Sequence, residues 1–154
     1  MVIIHAEGRK TMSSLDAKSL QQLSTCHLDL QKVAMTAIRW TPFSIVEGQR
    51  GQEKQHKAFV EGRSKVDWPN GKHNATPSDA FDFLPAFVTW NDLNGVNGKE
   101  KQRRGEAACY KLAGFLCAIG EMLEIPLRSG TDWDGDGDLA DQTLNDLVHI
   151  ERRK

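Results

Sequence analysis

Between Ala80 and Leu84 a carboxylate stands between two phenylalanines, and this alternation constrains the chain more than any other feature. In a strand, successive side chains point to opposite faces. Phe81 and Phe83 therefore go one way, and Ala80, Asp82 and Leu84 the other. Such a strand needs a sheet with one face on a hydrophobic core and the other lining a cleft. The pattern returns at Asn145-Asp146-Leu147-Val148-His149-Ile150-Glu151, where Val148 and Ile150 share one side and His149 and Glu151 the other. His73 lies on the irregular loop leading into the first strand and can swing over to Asp82. Two imidazoles and one carboxylate, with a fourth position left open, is the arrangement of catalytic zinc.

Asp146 precedes His149 by three residues. Within a regular strand the two would face opposite ways. In the turn entering the strand, Asp146 can sit beside the metal and act as general base; the plainer alternative is a turn cap. Arg50 ends a candidate strand, Phe43–Val46. There a guanidinium can stabilise an oxyanion or grip a substrate carboxylate, though an isolated arginine is more often a surface ion-pair partner.

The rest of the chain bounds the fold class. At 154 residues it is most simply one domain with a real core. A formal net charge of −1 gives no electrostatic case for nucleic acid or an anionic membrane. No run of about 18 apolar residues suggests a membrane span, and the first residues turn polar too soon for a secretory signal. Cys26, Cys109 and Cys117 are odd in number, lack metal spacing and read as reduced thiols. Cys109 and Cys117 suit core packing; a Cys26–His27 nucleophilic pair is a minor alternative.

Helices are expected over Leu15–Leu23, with a Ser13/Asp16 capping box, over Asp29–Trp40 and over Gln52–Gly62. Residues 91–105 read as a polar, Gly-rich surface loop. Glu106–Leu123 reads as a central helix, apolar almost all round, with Ala113, Gly114 and Ala118 allowing close approach. Leu127–Gly130 is a short strand. Helices and strands are partly segregated, which argues for α+β. Residues 1–12 are expected to be a loosely fixed arm.

The segment Asp132–Asp141 alternates Asp132, Asp134 and Asp136 before Gly137, like the first half of a calcium loop. Asp138 and Asp141 can add oxygens. The bidentate Glu of that loop is missing, with Thr143 in its place. Calcium and a solvated acidic turn are both open. Trp90 and Trp133 can line a substrate groove or fill the core.

The chain resembles the zinc D-Ala-D-Ala carboxypeptidase/L-alanyl-D-glutamate peptidase family, in particular small bacteriophage endolysins. The resemblance runs through Thr25–Gln31, Val46–Arg50, Lys72–Asn74 with Pro77–Asp82, Gly130–Asp136 and Asp146–Glu151. It implies that His73, Asp82 and His149 hold zinc, Asp146 is the base, Arg50 stabilises the intermediate and Gln55 supports the cleft. It implies a small antiparallel sheet with helices on one face and the zinc cleft on the other, and makes residues 13–154 a single catalytic domain. The implied substrate is peptidoglycan, cut at the L-Ala–D-Glu amide of the stem peptide. A monomer is expected, held in the host cytoplasm until a membrane pore-former releases it to the wall. A related D,D-carboxypeptidase or dipeptidase acting on wall precursors is one alternative; a non-catalytic calcium-binding phage structural protein is another.

Overall fold

A computed structural model describes residues 13–153, so the 1–12 arm lies outside the described residues. The fold is α+β. Four antiparallel strands, β1 (Phe43–Glu47), β2 (Ala80–Pro85), β3 (Leu127–Ser129) and β4 (His149–Arg152), are ordered β1-β2-β4-β3. The alternation read from the sequence holds. Phe81, Phe83, Ile45 and Ile150 are all but inaccessible and form the core with Leu30, Val33 and Leu116 from the helices. Truncating one such Phe to Ala would cost about 3–5 kcal/mol.

Helix α1 (Ala17–Leu23) starts at Asp16, whose carboxylate accepts from the Ser19 N–H at 2.7 Å. The cap is therefore Asp16 and not Ser13. The helix lies along edge strand β1, where Ser19 Oγ takes the Ile45 N–H and Gln22 Oε1 takes the Gly48 N–H, each at 3.0 Å. The edge is thus covered. Helix α2 (Leu28–Ala37) buries Leu30, Val33, Ala34 and Ala37, one stripe at helical spacing. It stops short of Trp40, which is exposed. Helix α3 (Gln52–Val60) follows β1.

Residues 91–105 are largely helical. Helix α4 (Trp90–Leu93) is capped reciprocally by Thr89 and Asp92. Gly98, at φ +96°, then opens helix α5 (Lys99–Met122). A left-handed position favours glycine, so the Gly-rich composition marks a junction between helices, not a long loop. The charged first turns of α5 are solvent-facing. Helix α5 is one-sided: Cys109, Leu112, Ala113, Leu116 and Ile119 are buried, whereas Lys111, Gly114 and Ala118 are exposed. The close approach falls at Gly120, where a Cβ would stand 2.7 Å from the Ile125 carbonyl. Gly114 and Ala118 do not provide it.

Candidate metal centre

Three segments deliver the site. Asp82 and His149 are register partners on the two central strands, so both project from the face opposite the phenylalanines. A bulge after Ile45 sets Glu47 opposite Asp82 and extends the row. His73 comes from a 3₁₀ turn, Lys72–Asn74. The Arg50 N–H donates to the His73 carbonyl at 2.8 Å, and the Asn74 amide donates to the Arg50 carbonyl at 3.1 Å, docking the turn against the end of β1.

The donor atoms converge. His73 Nε2 is 3.2 Å from Asp82 Oδ1 and 3.2 Å from His149 Nδ1, and His149 Nδ1 is 3.1 Å from Asp82 Oδ1. Each group is held from behind. His73 Nδ1 faces the Gly48 carbonyl at 2.7 Å and must carry a hydrogen there, because a carbonyl only accepts. His149 Nε2 donates to Glu151 Oε2 at 3.0 Å. Asp82 Oδ2 lies 3.6 Å from Arg50 Nη2. The inner lone pairs of three groups therefore share one small space, which a single cation fits.

Burial opposes charge on His149, but its hydrogen bonds to Asp82 and Glu151 prevail and push its pKa up to about 10. Burial likewise works against the Asp82 carboxylate, yet the two histidines hold it far below the ordinary range. Burial followed by the Asp82 charge raises the Asp146 carboxyl. Asp146 sits in the turn before β4, where its N–H donates to the Gly130 carbonyl at 2.8 Å. It lies outside the strand, in the turn that leads into His149.

Arg50 is tightly tied. Nε and Nη2 donate to Glu47 Oε2, at 3.0 and 2.6 Å, and Nη1 donates to Gln55 Oε1 at 3.2 Å. Lys54 also pairs with Glu47. Gln55 is buried and reaches Arg50, Asn74, Ser64 and the Val66 carbonyl, so it ties the loop after α3 to the His73 turn and to Arg50. Trp133 stands with its ring centroid 5.5 Å from that of His149. Trp90 lies on α4, half exposed. The Cys26–His27 pair is not formed. Cys26 is buried with its thiol facing the Ala80 carbonyl, burial pushes it up to about 11, and His27 Nδ1 instead accepts from the Asp29 N–H. Cys109 is a core residue.

In the acidic segment, oxygens of Asp132, Asp134 and Asp136 come within 4.8 Å of one another. Asp138 and Asp141 stand outside that group. Asp132 also accepts the N–H groups of Gly135 and Gly137, at 2.8 and 3.2 Å.

Sequence reasoning passed over the supports: the Gly48 carbonyl, Glu47, Glu151 and Arg128. Glu151 was visible, since a strand carrying His149 on one face carries Glu151 on the same face. Its partner Arg128 is its register neighbour on β3, which only the sheet order reveals.

Residues 12–152 match the family described as phage L-alanyl-D-glutamate peptidase. The chain belongs to that family. It is 33% identical over 141 residues to the L-alanyl-D-glutamate peptidase of Escherichia phage T5, covering 86% of this chain and 93% of the relative. Among solved structures it is similar to the L-Ala D-Glu endopeptidase ChiX of Serratia marcescens, with a TM-score of 0.65, 22% identity and 94% of each chain covered. The second likeness speaks for the fold alone. No helix among the described residues is long and apolar enough to cross a membrane.

Proposed function

We propose that this peptidase is zinc-dependent and hydrolyses the L-Ala–D-Glu amide of the peptidoglycan stem peptide, as the lytic enzyme of a phage. The observation that carries the metal reading is the convergence of His73 Nε2, His149 Nδ1 and Asp82 Oδ1 on one space, each braced from outside. Thiolates are absent from the set, which leaves the open three-ligand pattern of catalysis in place of a closed structural one. A zinc ion held there would supply Lewis acidity and bring the pKa of a water toward neutrality. Asp146 takes the proton of the attacking water and returns it to the leaving amine. Its raised carboxyl suits that exchange better than an ordinary aspartate would. Arg50 places positive charge beside Asp82, where it can stabilise the tetrahedral oxyanion. Gln55 and Glu47 fix that guanidinium. The protein acts as a monomer, waiting in the host cytoplasm until a pore-former opens the way to the wall.

The acidic segment is read as a calcium site. Oxygens of Asp132, Asp134 and Asp136 stand close enough together for one cation to touch all three. Calcium should raise thermal stability or activity, and Asp134→Ala should remove the rise. No response in the parent protein would end this part of the reading.

The deciding experiment is digestion of purified peptidoglycan with and without a chelator, followed by mass spectrometry of the new amino termini. Glutamate termini that disappear with the chelator are expected. Cleavage that ignores the chelator, or termini from another bond, would overturn the assignment.

A further inference from the structure

The two histidines do not present the same nitrogen. His73 turns Nε2 inward, and His149 turns Nδ1 inward. For His73 the Gly48 carbonyl explains the choice. For His149 the explanation is a closed ring of contacts on the far side of the imidazole.

His149 Nε2 donates to Glu151 Oε2 at 3.0 Å. Glu151 is buried, with 3% of its surface exposed, so its other oxygen cannot rely on water. Arg128 takes that oxygen in a two-pronged contact: Nε donates to Glu151 Oε1 at 3.0 Å and Nη2 donates to the same atom. The guanidinium is fixed in turn by Trp133. Arg128 Nη1 donates to the Trp133 carbonyl at 3.3 Å, and its central carbon lies 5.3 Å from the Trp133 ring centroid, a cation–π contact. The same ring faces His149 at 5.5 Å and 31°. Four residues from β3, β4 and the loop between them therefore close a cycle in which every member touches two others.

We propose that Glu151, Arg128 and Trp133 are positioning residues that choose which nitrogen of His149 faces the metal. Glu151 holds the hydrogen on Nε2 and leaves the Nδ1 lone pair inward. Arg128 keeps Glu151 aimed. Trp133 blocks the imidazole from swinging out of plane. This gives Trp133 a task distinct from lining a substrate groove. The inference rests on the metal reading above and concerns how this chain prepares for the ion. A ligand whose outer partner is lost typically gives up about 10–100-fold in metal affinity.

The test uses the full chain. Long-range proton–nitrogen NMR of the zinc-loaded protein should show His149 protonated at Nε2 and metal-bound at Nδ1, with His73 the reverse. Zinc affinity, read by competition with a chromogenic chelator, should weaken about 10–100-fold in Glu151→Ala. Trp133→Phe keeps a ring and should stay near the parent, while Trp133→Ala should weaken binding. Arg128→Lys cannot make both prongs and should fall between the parent and Arg128→Ala. Zinc on His149 Nε2, or Glu151→Ala binding zinc within twofold of the parent, would overturn the proposal. The NMR assignment needs no variant, so a Glu151→Ala chain that fails to fold leaves the test intact. A parent protein that binds no zinc would instead sink the metal reading itself.

Discussion

Gln55 offers the sharpest test of how the cleft is held. The residue is polar, lies on the buried side of an otherwise exposed helix, and is 1% accessible. Its amide nitrogen donates to Ser64 Oγ at 2.9 Å and to the Val66 carbonyl at 2.6 Å. Its oxygen accepts from Arg50 Nη1 at 3.2 Å and Asn74 Nδ2 at 3.1 Å. One side chain thus joins the loop after α3, the turn bearing His73 and the arginine beside Asp82. Gln55→Ala removes four hydrogen bonds of roughly 1 kcal/mol net each and strands buried partners. Water entering the gap returns part of this, so the expected loss is about 2–4 kcal/mol. For a domain of this size that lowers Tm by roughly 5–15 °C. Gln55→Glu is a discriminating companion. It keeps acceptors toward Arg50 and Asn74 but sets an oxygen against the Val66 carbonyl, so it should remain destabilising. Urea melts with and without zinc measure both variants. The alanine variant should also bind zinc more weakly, because the His73 turn loses its floor. A stability change under about 0.5 kcal/mol, the range of ordinary surface substitutions, would refute the account of Gln55 as the hub.

Three further outcomes follow from the geometry. His149 in the metal-free chain holds an extra proton up to about pH 10, so zinc must expel it and affinity should tighten as pH rises; calorimetry at pH 6 in buffers of different ionisation enthalpy should find about one proton released per zinc, and none would contradict the pairing. Asp146→Asn should cut kcat/KM by about 10²–10⁴-fold while zinc affinity stays within a few-fold; full activity would remove Asp146 as the base. A Cβ at Gly130 would collide with the Asp146 carbonyl and stand 2.7 Å from Asp146 Cβ. Gly130→Ala should therefore cost about 1–3 kcal/mol in a thermal melt and lower activity more than metal binding, whereas a silent substitution would show that the turn has room to move.

What could be read in advance, and what could not, divides along one physical line. Period-two alternation is a local property, and it placed Asp82 and His149 on the cleft face because a strand leaves no third option. Register is not local. That Asp82 pairs with His149, and Arg128 with Glu151, depends on β4 sliding between β2 and β3, although two helices and β3 itself intervene in the chain between Pro85 and His149. The candidate metal ligands were legible because their residue types announce chemistry; Glu151 and Arg128 look like any surface ion pair until the sheet order sets them behind His149. The errors have the same origin. Lys99–Gly105 carries the polar and glycine content of a loop, yet a single left-handed glycine at position 98 and good helix formers after it start a helix. In α5, alanine and glycine are apolar by composition but silent about which side meets the sheet. Gly120 is buried because Ile125 and Leu127 turn back onto it, and Gly114 is exposed because nothing does. Side chains that carry chemistry declare themselves in one dimension, whereas those that only support or pack acquire meaning from neighbours that the fold alone supplies.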